Sequence, residues 1–258
     1  METVKQIPYG VADFESVINQ NMYYVDKTMY LAELEKQPRT LIFIRPRRFG
    51  KSLFISMMRA YYDKSKADRF DKLFGSLWVG SHPTPLRNHY QVLYLDFSRI
   101  GGNIDVLEKE FDSYCCIQLN DFIDTYRNDY PKEMVDEFLR AENATRKLNI
   151  LLNMSRKYDQ PLYLIIDEYD NFTNVVLSEH GEAIYHNMTH AAGFYREVFK
   201  KFKGMFERIF LTGVSPVTLD DLTSGFNIGW NVSMAPELDK MLGFSTEDVR
   251  QMLNYFKE

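Results

Sequence analysis

The sequence predicts an α/β domain built on a mainly parallel sheet, and two observations carry that prediction. Four short apolar runs, Thr40–Ile44 (TLIFI), Val92–Phe97 (VLYLDF), Leu162–Ile166 (LYLII) and Arg208–Val214 (RIFLTGV), are continuous rather than alternating, which is how a strand covered on both faces reads. Helical patterns separate these runs, and strands alternating with helices imply a parallel sheet flanked by helices.

Taken in order, the first run leads directly into a helical stretch at Ser52–Tyr62. Ile104–Tyr126 places Ile104, Leu107, Phe111, Tyr114, Leu119, Phe122 and Tyr126 near one stripe. Pro131 opens another helix at its first turn. Ala144–Tyr158 turns Leu148, Leu151 and Leu152 inward, and Asn171–Thr189 reads as an irregular loop or short helix. Ala191–Phe206 is a helix candidate with a basic stretch at Arg196, Lys200, Lys201 and Lys203. After Gly243 a last helix signal begins, with Ser245 or Thr246 as cap and Glu247 and Asp248 in the first turn. The sequence ends at Glu258 inside that pattern, which suggests a larger protein.

Composition sets bounds on function. A chain of 258 residues holds one large domain, or one domain and part of a second. Its aromatic share of 15% is high, and those rings are expected in the core, because aromatics dominate buried area. The net charge of −5 excludes a chain that is cationic overall for nucleic acid, though a local basic patch is compatible with it. Cys115 and Cys116 are adjacent and are the only cysteines, so a cysteine zinc cluster is excluded and an unstrained bridge is not expected. The N-terminus has no apolar signal core, and no run approaches the roughly 18 apolar residues of a membrane helix. The expectation is a soluble, cytoplasmic protein with no membrane partner.

The strongest chemical signal is the strand–loop–helix run TLIFI-RPRRF-GKS-LFISMM. The phosphate-loop pattern G-x-x-x-x-G-K-[ST] is met at Gly50, Lys51 and Ser52, while Arg45 stands where the first glycine would be. Gly50 lets backbone approach a phosphate, and the first amides of the following helix point at an anion. Arg47, Arg48, Phe49, Gly50, Lys51, Ser52 and Leu53 are therefore the candidate nucleotide-binding residues. Lys51 reaches the outer phosphates and the Ser52 hydroxyl suits Mg²⁺. Arg47 and Arg48 read equally as phosphate ligands, as fingers acting on a neighbouring subunit's nucleotide, or as a solvated basic loop. A residue needing positive φ at Arg45 would be strained.

The run Leu162–Ile166 ends in Asp167 and Glu168, where ligands bind at the carboxyl ends of parallel strands. Asp167 is the candidate Mg²⁺ ligand with Ser52, and Glu168 the candidate that orients or deprotonates water. Asp170 reads as a cap or loop residue. The stretch between Lys51 and Asp167 leaves room for one intervening strand, with Val92–Phe97 as the candidate. At the end of the fourth run Thr212 and Ser215 offer hydroxyls that could sense the terminal phosphate or position water; the plain alternative is a turn built on Gly213 and Pro216. Lys51, Glu168, Thr212 and Ser215 are thus the candidate catalytic residues.

These residues carry a resemblance. The segments IPYGVADFESVINQNMYYVDKTMYL, FIRPRRFGKSLFISMM, VLYLDFS, YLIIDEYDNF and FLTGVSPVTLDDLTSGFNI resemble the AAA-ATPase-like family of P-loop proteins, and together they span nearly the whole chain. The resemblance implies a three-layer P-loop NTPase fold over residues 1–242, with the start of a helical lid or linker at 243–258. It implies ATP as the nucleotide, Mg²⁺ as its metal, and RPRRFGKS as a usual form of the loop. It also implies a sensor role at Thr212 or Ser215, and an adenine-flanking role for Tyr24–Thr28, whose alternative is a helix start capped by Asp26 or Thr28. Family members often continue into a nuclease-like domain, for which this chain has no room.

The expected function is an ATP-binding, Mg²⁺-dependent ATPase that couples nucleotide binding or hydrolysis to conformational change or assembly. The alternatives are a non-hydrolysing nucleotide switch or scaffold, and the ATPase module of a nucleic-acid-processing protein. Homo-oligomers and nucleic acid bound through a missing C-terminal domain are the partners this reading allows.

Overall fold

Five parallel strands form the sheet: β1 (Thr40–Ile44), β2 (Gln91–Asp96), β3 (Leu162–Asp167), β4 (Arg208–Gly213) and β5 (Trp230–Asn231), in the order β2-β3-β4-β1-β5. This structure is a computed structural model, and it describes residues 4–100, 106–171, 174, 176–177, 181, 198–199, 201–202, 204–215 and 229–257. The chain divides into two compact units. One comprises Arg39–Ile44 and Tyr90–Asn231 and contains the sheet; the other comprises Met1–Pro38, Arg45–His89 and Val232–Glu258.

In the sheet unit, β3 and β4 are buried along their whole length and β1 nearly so, as continuous runs of apolar and β-branched residues require. β2 departs from that expectation. Gln91, Leu93 and Leu95 are buried while Val92, Tyr94 and Asp96 are half-exposed, because alternate residues of a strand face opposite sides of the sheet and β2 is fully covered on one of them. Its outward amides are covered by tyrosines from α6 (Leu107–Thr125) and the residue after it. Tyr126 Oη accepts from the Val92 N–H at 2.8 Å and Tyr114 Oη from the Asp96 N–H at 2.7 Å, which blunts the edge against pairing with another chain. Burial pushes the Tyr114 phenol up to about 12.

Sequence order and sheet order differ. β2 does intervene between β1 and β3 in the chain, but in the sheet the strand between them is β4. α7 (Lys132–Arg140) starts immediately after Pro131, and α8 (Ala144–Lys157) is capped by the Asn143 side chain on the Arg146 amide. Buried Leu148 and Leu151 of α8 join Phe111, Leu119 and Phe122 of α6 in the core beneath β2–β4. Cys115 is buried and Cys116 half-buried, both as free thiols. Burial, aided by the Asp112 carboxylate, pushes the Cys116 thiol up to about 11, so it stays protonated and unreactive at neutral pH. Ile104, most of Asn171–Thr189 and Arg196, Lys200 and Lys203 lie outside the described residues.

In the other unit, α1 (Phe14–Asn19), α2 (Met29–Lys36), α3 (Lys51–Tyr62), α4 (Phe70–Phe74) and α5 (Trp78–Ser81) gather around aromatic rings. Phe14 stacks on Phe74 with centroids 5.1 Å apart, and Tyr61 meets Phe74 edge-on at 5.5 Å. The aromatic excess is thus largely core packing, with Phe14, Phe74, Tyr61 and Tyr62 fully buried. α9 (Thr246–Tyr255) carries a complete capping box between Ser245 and Asp248. Among the described residues no helix is long and apolar enough to cross a membrane.

Candidate nucleotide site

The loop after β1 takes its shape from two left-handed residues. Arg48 has φ +67° and Gly50 has φ +87°. The entry residue Arg45 is not among the positive-φ positions, so arginine is tolerated there without backbone strain. Its side chain does anchoring work instead. Arg45 Nη1 donates to the Ser233 carbonyl at 2.6 Å, and Nη2 lies 4.0 Å from the Asp239 carboxylate.

Gly50 occupies the N-cap position of α3 and brings no side chain to it. Nothing lies within 4 Å of where a Cβ would stand, so glycine answers the backbone conformation rather than crowding. The helix therefore opens with backbone amides and a positive dipole end, the arrangement that attracts an anion. Lys51 is 6% exposed, and its Nζ donates to the carbonyls of Arg45 at 2.9 Å and Pro46 at 3.0 Å, holding the ammonium inside the loop. Ser52 is exposed, Leu53 half-buried and Phe49 43% exposed. Arg47 and Arg48 are exposed at the loop's crest.

The loop is braced from within its own unit. The Gly243 N–H donates to the Phe49 carbonyl at 3.0 Å, and the Phe49 ring lies 3.3 Å from the position of a Gly243 Cβ. The segment Tyr24–Thr28 leads into α2, with Thr28 at the N-cap position but no side-chain cap bond there. Asp26 Oδ1 accepts from the Thr28 amide and hydroxyl, and Oδ2 accepts from the Trp78 amide at 2.6 Å, opening α5. Lys27 pairs with Asp248 of α9 at 2.8 Å.

In the sheet unit the candidate residues gather at the carboxyl ends of β3 and β4. Thr212 Oγ1 donates to Asp167 Oδ1 at 2.6 Å, and the same oxygen accepts the Glu168 amide at 3.0 Å. Both Asp167 and Thr212 are buried. Glu168 is left-handed, with φ +51°, and the strained turn ends β3 there. The register places Phe43 beside Thr212 and Ile44 beside Gly213, and Arg45 follows Ile44 in the chain. Ser215 enters through its backbone: its N–H donates to Asp170 and its carbonyl accepts from Tyr169 Oη at 2.7 Å.

Asp170, read from sequence as a cap or loop residue, is a buried carboxylate bonded to the turn after β4. A third acid three residues after Asp167 was its one trace in the sequence.

In the sheet unit the Asp167 carboxylate is a hard oxygen donor of the kind Mg²⁺ takes, and in the other unit the Ser52 hydroxyl is another. Among the described residues no group of three or more His, Cys, Asp or Glu could hold a metal on its own.

A five-stranded parallel sheet whose first strand runs into a glycine–lysine–serine loop and helix defines a P-loop NTPase-like fold. A family model described as Predicted AAA-ATPase matches residues 8–223, and the chain belongs to this AAA-ATPase-like family. An uncharacterised protein of the vnfD 5′ region of Azotobacter chroococcum mcd 1 is 24% identical over 249 residues. The match covers 95% of this chain and 44% of that protein, so the chain spans less than half of its relative's length. No solved structure matches.

Proposed function

We propose that this chain binds ATP with Mg²⁺ and hydrolyses it. The observation that carries the reading is the left-handed Gly50 opening α3, with the Lys51 ammonium held among the loop's own carbonyls. Phosphate oxygens are the ligand such a loop is built to accept, with Arg47 and Arg48 adding charge at its crest.

Each candidate then has a role. The amides of Gly50 to Leu53 and the Lys51 ammonium hold the β- and γ-phosphates. Ser52 and Asp167 are the residues that would hold the metal, whose charge would stabilise the transferring phosphoryl group. Glu168 orients the attacking water and accepts its proton as the new P–O bond forms and the bond to the departing ADP breaks. Thr212 keeps the Asp167 carboxylate in one orientation, and Thr212 or Ser215 takes the sensor role.

Calorimetry with ATP and Mg²⁺ tests the reading by comparing the native chain with Lys51→Ala. Removing the ammonium should weaken binding at least about tenfold, since charge-assisted contacts to phosphate contribute on the order of 1.5–3 kcal/mol. Equal affinity in both proteins sinks the phosphate site. Binding without turnover in the native chain would make it a nucleotide-dependent switch and remove hydrolysis from the proposal.

A further inference from the structure

We propose that Tyr169 and Asp170 form a clasp that positions Thr212, and through it Asp167, for the reaction. The inference rests on the ATPase reading of that strand end. It begins from the kink at Glu168, whose left-handed backbone turns the chain after β3 back onto the end of β4. The Tyr169 amide then donates to the Thr212 carbonyl at 3.0 Å.

Two side chains complete the clasp. Asp170, 1% exposed, accepts on one oxygen, Oδ2, the successive amides of Val214 at 3.0 Å and Ser215 at 2.5 Å. Two amides converging on one oxygen form a small anion nest, filled here by the chain's own carboxylate. Tyr169, fully buried, donates its hydroxyl to the Ser215 carbonyl. Four hydrogen bonds from two adjacent residues thus span Thr212, Val214 and Ser215.

Gly213 supports the same conclusion from the other side. A Cβ there would stand 2.5 Å from the Tyr169 ring and 2.6 Å from Asp170 Oδ1. Its φ is not left-handed, so glycine is required by this close approach rather than by backbone conformation. Tyr169 and Asp170 pack against the turn so closely that no side chain fits at position 213. Thr212, the residue before that turn, bonds Asp167. Tyr169 and Asp170 are therefore positioning residues: they act through their bonds to Thr212, Val214 and Ser215, and restrict the Thr212 hydroxyl to the orientation that holds Asp167.

The test is steady-state ATP hydrolysis by the full chain, with ATP and Mg²⁺ varied separately, alongside thermal unfolding. Tyr169→Phe removes one hydrogen bond and keeps the ring; kcat should fall by about threefold to tenfold with KM for ATP nearly unchanged. Asp170→Ala should lower kcat more than about tenfold and raise the Mg²⁺ concentration needed for half-maximal rate. Asp170→Asn, whose amide oxygen can still accept both amides, should recover kcat to within about threefold of native. A lower melting temperature with native kcat and Mg²⁺ dependence in Tyr169→Phe and Asp170→Ala would show a purely structural clasp and overturn the proposal. If Asp170→Ala does not fold, unchanged kcat and Mg²⁺ dependence in Tyr169→Phe overturn it alone. A native chain that neither binds nor hydrolyses ATP removes the ATPase reading and this inference together, an outcome distinct from unaffected variants of an active chain.

Discussion

Thr212 Oγ1 donates a 2.6 Å hydrogen bond to Asp167 Oδ1 across the adjacent strands β4 and β3, with both side chains buried. A hydrogen bond to a buried charged group is among the stronger single contacts in a protein. Thr212→Val keeps the shape and deletes the hydroxyl, and should destabilise the chain by about 2 kcal/mol in urea unfolding. Thr212→Ser should keep most of that stability. Equal midpoints for the native and Val forms would mean that the bond is replaced at no cost.

Glu168 sets backbone strain against its proposed role in orienting water. Its left-handed backbone costs on the order of 1 kcal/mol for a residue with a Cβ, and glycine would relieve it. Glu168→Gly should therefore stabilise the chain by about 0.5–1 kcal/mol while abolishing hydrolysis. A destabilised Glu168→Gly protein would show that contacts of the glutamate side chain outweigh the strain.

Gly213→Ala tests the close approach at the end of β4. The added methyl meets the Tyr169 ring and the Asp170 carboxylate within 2.6 Å, and neither is the free end of a flexible chain. Overpacking of this kind costs about 1–3 kcal/mol, which a denaturant curve would read directly. By contrast, Gly50→Ala meets no atom within 4 Å and should lose only the conformational part, about 1 kcal/mol.

Acid sensitivity should concentrate in the unit that carries the loop. For Asp248, burial pushes the carboxyl up, but bonds from Lys27 and Ser245 outweigh it and the net shift is downward. Glu15 shows the same balance, with Lys66 and Arg69 as partners, and Asp13 does so through Ser16 and Ser56. A carboxyl lowered in the folded state adds stability above its unfolded pKa and loses it as pH falls through the folded value. Stability should thus hold above about pH 4.5 and decline below the ordinary carboxylate range. Hydrogen exchange of the α9 amides should follow that decline in the native chain and respond less in Asp248→Asn. An unchanged acid response in the variant would remove the Lys27–Asp248 pair as its cause.

The sequence by itself determined the strand–loop–helix at Thr40–Tyr62, the acidic end of β3, and the alternation of strands with helices. Those signals are local: a continuous apolar run, a glycine before a helix and a capping residue each act within a few positions of the chain. α8 begins at Ala144 as the sequence predicts, and of the two cap candidates for α9 the structure uses Ser245.

Only the tertiary structure decided the rest. β4 lies between β1 and β3, so Thr212 of β4 rather than a residue of β1 reaches Asp167. β2 is fully covered on one face alone, so its apolar run alternates in burial. Arg45 found acceptors at Ser233 and Asp239, far along the chain, and Asp170 found the amides of Val214 and Ser215. Strand order and the partners of a buried charge depend on residues distant in sequence, and neither leaves a periodicity or spacing at the position where it acts.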